Sequence, residues 1–459
     1  MRTLTAQLAL VALLAGAPAG LGAPLRVRDG RFVEGGREVR LMGDSFQGLL
    51  GNANFDHRAF LDELSQDGVN FVACWLIWPI RQNRDDRNAD NDRWGTDYPV
   101  LNLLPWARSD GTDAFDGFGK YDLTRSDDRF WQKAADLCEY AQKRGIYVQL
   151  TLFDECLLEP DVRGYAPGWN WHPFNALNGG PLSGPNGFGA YDLRDERMMG
   201  IERAYVEKAI AETSRFDNVL YELCNEGSTK SAEWNRYWVD FIGERCENPV
   251  GVNANFTPND WSGVASCDYL TYHTDYDAKR NHDVFAQNRD KGKPIIIDEA
   301  NPEYNGDMPG VSLDDFRRCL WIAFAAGGHY ALQDDSPCEY GSKTTRYRNG
   351  QPARRQMGYL LKFASRLKLA DFRPADRIIA KGPTVCHALA GREEWVVYAS
   401  GAPLELALRL PVGEYQWRYY SPLTGKFTGG SDGIVRGEAL LIKPPSREPD
   451  VVVYVRRTD

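Results

Sequence analysis

The chain has 459 residues, 43% hydrophobic and 12% aromatic, enough for one large domain plus a smaller one and too many for a single sandwich. The formal net charge is -10 and no basic stripe interrupts it, which argues against a nucleic-acid partner. The six histidines form no H-E-x-x-H and no two-His-one-carboxylate spacing, so the sequence implies no metal and no cofactor.

In chain order, the first element is a leader. Arg2 supplies a short positive end, Leu8 to Leu14 an apolar stretch, and Ala17-Pro18-Ala19 a small-residue cleavage site, with Ala23 a second candidate. The apolar stretch is too short to span a bilayer. Residues 1–23 therefore read as a cleaved signal peptide of a secreted or periplasmic protein with no membrane insertion. The first cysteine is Cys74, so no lipid-anchor cysteine follows the leader. Nine cysteines leave at least one unpaired. Cys74 and Cys224 lie in apolar runs and read as buried small hydrophobes. One or two disulfides among Cys156, Cys246, Cys267 and Cys338 remain open.

Eight strand-length apolar runs follow, at 37–46, 68–78, 145–153, 218–226, 249–256, 267–274, 293–300 and 327–333. Several are apolar at consecutive positions, as in strands buried on both faces. Helical periodicity fills the intervals at 57–68, 129–145, 196–216 and 312–327, with Gly68 and Gly145 as stops. This alternation predicts a (β/α)8 TIM barrel over residues 24–370. A doubly wound sheet is the rival, but "MGDSFQG" after the first run is no phosphate-binding glycine turn. After residue 370 the helical signal stops. Short alternating runs (TVCHALA, EWVVYAS, LELALRL, EYQWRYYS, EALLIK, DVVVYVRR), separated by turns such as SGAP, PLTGK and GGSDG, predict an antiparallel β-sandwich over 371–459.

The stretches 79–128 and 154–192 leave the C-terminal ends of the second and third strands, where barrels place their sites. They carry Trp94, Trp106, Trp169 and Trp171, each readable as a loop anchor or as a platform for a sugar ring. Glu226 ends the fourth run and Glu299 the seventh, so the topology brings two carboxylates to one pocket. Two facing carboxylates are what acetal cleavage requires, one as proton donor and one as nucleophile or base. Glu222 falls one layer deeper than Glu226, where a charge needs a partner. Strand alternation turns Asp298 outward, toward the helices, and Gly227 lets the backbone leave the strand at once.

Asn225-Glu226 on strand four and Glu299 on strand seven resemble the signature of clan A glycoside hydrolases, retaining cellulase-like barrel enzymes. The resemblance implies Glu226 as acid/base, Glu299 as nucleophile, and Asn225 on the sugar 2-hydroxyl. It also implies nucleophile support from the strand-six group Tyr272, His273 and Tyr276. Trp417, Pro422 and Gly425 are similar to a turn of the accessory sandwich common in such enzymes. Three positions depart from the pattern. Arg81 is the one arginine placed to serve near the end of strand two, Asp154-Glu155 replaces the usual strand-three histidine, and Gln333 stands where strand eight often carries Trp. Asp154, Glu155, Trp75, Trp169, Trp171, His172 and Gln333 complete the expected substrate contacts. The expected partner is thus a polysaccharide or oligosaccharide. A non-catalytic carbohydrate-binding barrel and a transglycosylase with the same dyad are the alternatives, and the oligomeric state stays open.

Overall fold

The structure is a computed structural model that describes residues 22–53, 55–79, 102–160, 168–255, 260–300, 312–333, 345–437, 439–444 and 448–459. Residues 1–21 of the leader, Trp94, Arg81 and Cys338 lie outside the described residues.

Eight parallel strands close into a barrel: Met42–Ser45, Phe71–Trp75, Tyr147–Asp154, Val219–Asn225, Val250–Asn253, Tyr269–Thr274, Ile295–Ala300 and His329–Gln333, called strands one to eight below. Each coincides with one of the eight apolar runs, strand three ending one residue beyond its run at Asp154, and almost every residue in them is buried. Strand eight pairs with strand one, Gln333 opposite Ser45, which closes the ring. The helices on the outside are bounded by capping side chains. Asp56, Asp127 and Asp195 accept backbone N–H groups at the starts of His57–Asp67, Asp128–Gln142 and Glu196–Thr213. Ser312 and Asp315 form a reciprocal capping box on Leu313–Ala325. Gly68 ends the first helix at φ 82°, as the sequence implies. Gly145 instead lies two residues beyond the helix cap, which is Lys143.

Part of the first apolar run belongs elsewhere. Arg37–Glu38 closes a small antiparallel sheet with Leu25–Arg28 and Arg31–Glu34. Phe32 from this sheet packs its ring on Tyr269 and His329, and Glu34 accepts from the Tyr147 hydroxyl at 3.2 Å. Those three residues begin strands six, eight and three, so the hairpin plugs the N-terminal end of the barrel and leaves the opposite end for chemistry.

The C-terminal region forms a six-stranded and a three-stranded antiparallel sheet with an apolar core of their own. The other face of the larger sheet joins the barrel core: Trp321 of helix Leu313–Ala325 stacks on Tyr398 with ring centroids 5.9 Å apart, and Phe363 meets Tyr420 at 4.9 Å. GGSDG is a correction. It lies inside strand Lys426–Val435, at the edge of the sheet, paired along its length with Gly413–Ser421. The neighbouring backbone ladder holds it extended despite its weak intrinsic propensity, and a side chain at Gly430 would strike the Trp417 carbonyl. No disulfide joins the described cysteines. Cys246 and Cys267 direct their thiols to the carbonyls of Ile242 and Tyr269, so pairing of Cys156, Cys246 and Cys267 with one another is not what the fold builds. No helix among the described residues is long and apolar enough to cross a membrane.

Candidate active site

Glu226 follows the last residue of strand four with φ at 50°, a left-handed conformation uncommon for a residue with a side chain. The turn is therefore made on the glutamate itself. Gly227 serves a different need from the one its sequence position suggests: a Cβ there would stand 2.9 Å from Asn235 Nδ2 and 3.3 Å from Ser231 Oγ. Glu299 sits near the end of strand seven and is almost fully buried.

His273, near the end of strand six, joins the two acids. Its Nδ1 is 3.5 Å from Glu226 Oε1 and 3.6 Å from Glu299 Oε2. Those two distances confine the facing carboxylate oxygens to within about 7 Å of one another, against about 5–5.5 Å for retaining and 6.5–9.5 Å for inverting glycosidases. Two asparagines fix the imidazole. Asn253, ending strand five, accepts the N–H of Asn255 on Oδ1, which turns its Nδ2 to donate to His273 Nε2 at 2.9 Å. Asn255 clasps the His273 backbone on both its N–H and its carbonyl. With Nε2 accepting, the ring proton belongs on Nδ1, the nitrogen facing both glutamates.

Gln47, just past strand one, donates Nε2 to Glu299 Oε1 at 3.4 Å, and the Cys156 thiol donates to Glu226 Oε2 at 2.7 Å. Asp154 Oδ2 accepts from Trp75 Nε1 at 2.8 Å and Asn225 Nδ2 at 3.0 Å. Burial, and then the Glu226 carboxylate, push Asp154 up to about 8. With Nδ2 so engaged, the buried Oδ1 of Asn225 has no hydrogen-bond partner among the described residues.

A second acidic pair lies below. Glu222 accepts from the hydroxyls of Thr151 (2.8 Å) and Thr271 and from Gln149 at 3.4 Å, partners that the depth of a buried carboxylate demands. Asp298 accepts from Gln149 Nε2 at 2.9 Å, and its Oδ1 lies 3.9 Å from His273 Nε2. Asp298 therefore faces inward, against the alternation expectation. The cause is an irregularity in strand seven: Ile297 pairs with Tyr272 and Glu299 with His273, leaving Asp298 as an extra residue, so Asp298 and Glu299 both reach the interior. Burial, and then Glu222, raise the Asp298 carboxyl well above its ordinary range.

Several expected contacts are placed elsewhere. Tyr272 turns outward, its hydroxyl donating to Asn288 at 2.8 Å, because strand alternation puts it opposite His273. Glu155 accepts from Tyr191, Ser228 N–H and Ser231 on a single carboxylate oxygen, Oε2, and so ties loops together. Trp75 and Trp169 are buried, the first holding Asp154 and the second bonded to the Gly184 carbonyl, so neither offers a face to a sugar. His172 stacks on Trp169 and accepts the Phe174 N–H; burial lowers it to about 3. Trp106 packs on Phe174 and Tyr205 as a loop anchor. Trp171 is half-buried against Phe115, and Tyr276 packs edge-on to Phe316. Gln333 ends strand eight with a buried Oε1 that has no hydrogen-bond partner among the described residues. Gln47, Asn253, Asn255 and Cys156 were not legible as site residues. The only available signal was a polar residue at or just beyond the C-terminal end of a strand.

A family model described as a domain of unknown function (DUF6298) matches residues 66–253. No curated protein matches the sequence. Among solved structures, a glycoside hydrolase family 5 protein from Bacteroides vulgatus ATCC 8482 superposes with a TM-score of 0.67 at 15% identity, over 95% of this chain and 93% of that one. A second, titled glycoside hydrolase, superposes with a TM-score of 0.64 at 13% identity, over 95% and 97% of the two chains. The chain thus has the fold of these proteins, barrel and C-terminal sheets together.

Proposed function

We propose that the chain is a retaining glycoside hydrolase in which Glu226 is the acid/base and Glu299 the nucleophile. The observation that carries this reading is the single His273 nitrogen within 3.6 Å of both carboxylates, which brings their facing oxygens to within about 7 Å, a bound that includes the retaining spacing of about 5–5.5 Å. Glu226 protonates the leaving oxygen while Glu299 Oε attacks the anomeric carbon and forms a glycosyl ester. Glu226, now ionised, takes a proton from water, and that water cleaves the ester at the same carbon. The Gln47 amide donates to Glu299 Oε1 and His273 Nδ1 stands 3.6 Å from Oε2, surroundings that support Glu299 as the nucleophile. The unpartnered Asn225 Oδ1 is available to accept from the sugar 2-hydroxyl. The glycoside hydrolases that share the fold support a carbohydrate substrate, and the leader-like residues 1–23 support export.

The test is a screen of chromogenic glycosides and polysaccharides, with product configuration read by NMR and a 2-fluoro glycoside used to trap the ester. The expected outcome is retained configuration and a label on Glu299. Glu299→Ala loses turnover. Glu226→Ala loses about 100- to 10,000-fold on substrates with poor leaving groups and much less on activated aryl glycosides. Inverted product, or wild-type turnover by Glu299→Ala, overturns the assignment. Transfer to added sugar acceptors in preference to water would favour the transglycosylase reading.

A further inference from the structure

Three residues distant in the chain meet outside the barrel, away from the strand ends. His282 belongs to helix Ala278–Asn288, Asp376 opens a short turn after the last barrel helix, and His387 lies on strand Val385–Ala390 of the larger C-terminal sheet. Asp376 Oδ2 lies 2.9 Å from His387 Nδ1 and 3.5 Å from His282 Nε2. Its other oxygen is fixed by the Ala388 N–H at 2.8 Å. The imidazoles stack with centroids 4.4 Å apart, so both rings present a nitrogen to the same side.

One nitrogen from each ring and one carboxylate oxygen all lie within 4.8 Å of one another. Around a tetrahedral ion with bonds of about 2.0–2.2 Å, donor atoms stand roughly 3.4 Å apart. Both histidine–aspartate distances are already near that value, and a small rotation of the half-buried rings brings the two nitrogens to it. The remaining nitrogen of His282 lies 3.9 Å from Asp283 Oδ1, beyond a direct hydrogen bond but on the side where a carboxylate supports a metal-bound imidazole. Two imidazoles with one carboxylate suit zinc over calcium or magnesium, which take oxygen donors.

We propose that His282, Asp376 and His387 bind a zinc ion that fastens helix Ala278–Asn288 of the barrel to the C-terminal sheets. The three protein donors leave a fourth position for water on the solvent side. The ion acts on stability, since it binds the folded arrangement and the three ligands do not meet in the unfolded chain. Sequence spacing hides the site because the ligands come from three elements, none with a local metal motif.

The full chain is stripped with chelator, dialysed against micromolar Zn2+ and assayed for bound metal. The expected result is one zinc per chain, a melting temperature a few degrees above that of the stripped protein, and loss of both effects in His387→Ala and His282→Ala. No zinc on the wild-type chain, or equal occupancy in the chain carrying both His282→Ala and His387→Ala, overturns the proposal; the cluster is then a hydrogen-bonded clip without an ion. If a variant fails to fold by circular dichroism, Co2+ on the wild-type chain decides. Visible bands of tetrahedral, imidazole-bound cobalt support the site, and the spectrum of the free hydrated ion overturns it.

Discussion

Asn253 bonds the His273 nitrogen opposite the one that faces the two proposed catalytic carboxylates, and so decides which nitrogen carries the proton. Its Nδ2 donates to Nε2, so the proton faces Glu226 and Glu299. Asn253→Ala frees the ring to protonate Nε2 instead. The expected result is a fall in kcat of about tenfold or more with a displaced pH–rate profile, while the circular dichroism spectrum is unchanged. A uniform loss with an unaltered profile would mark Asn253 as merely structural. Glu202 carries a separate prediction. It is buried in helix Glu196–Thr213, accepts from Trp234 Nε1 at 2.9 Å, and is pushed up to about 8, burial being the largest cause. Between about 4 and 8 the folded chain holds a proton there that the unfolded chain has lost. Stability from this group is therefore greatest at low pH and declines as pH rises through that window. Asp154, raised to about 8, acts in the same direction. Glu202→Gln is expected to narrow the gap in melting temperature between pH 5 and pH 8; an unchanged gap would mean that Glu202 does not retain its proton in the folded chain.

At the scale of elements, the eight strands were legible because burial on both faces writes each as a continuous apolar run, and Glu226 and Glu299 were legible because strand ends of a barrel converge. What stayed hidden has a common physical cause. Asp298 turns inward through an irregularity in pairing, which depends on the neighbouring strand and leaves no mark on its own sequence. The strand Lys426–Val435 is glycine-rich and is held by its partner's ladder, so its propensity reads as turn. Tyr272 and His273 are adjacent in the chain and face opposite ways, a choice of register that apolar runs without alternation do not reveal. The inward Asp298 places a second acidic layer beneath the dyad, where Glu222 gathers Thr151, Thr271 and Gln149. Glu222→Leu strands those donors and is expected to cost about 1–3 kcal/mol per orphaned group, whereas Glu222→Gln keeps an accepting oxygen and costs less. Urea melts of the two variants check the order; equal losses would mean that shape, and not hydrogen bonding, governs this layer.

For the whole molecule, the sequence divides the chain near residue 370, but packing does not respect that line. Trp321 and Phe363 from the barrel side share a core with Tyr398, Tyr420 and Val452 from the sheets. Arg317 of helix Leu313–Ala325, fully buried, donates Nε to Asp450 at 2.8 Å, and the Tyr398 hydroxyl donates to the same carboxylate. An ion pair removed from water is costly to break by halves, since the remaining partner stays buried and charged. Arg317→Met is therefore expected to lose about 3–5 kcal/mol. A chain ending at residue 370 removes the partners of Trp321 and Phe363 together and bares an apolar face that soluble monomers rarely expose. Expressed alone, that barrel is expected to aggregate or to melt far below the full chain, and the full chain is expected to unfold in one calorimetric transition. A soluble monomeric barrel with the melting temperature of the full chain would refute the shared core and make the sheets a removable appendage; a joint loss would make them part of the scaffold that holds Glu299 and His273 in place.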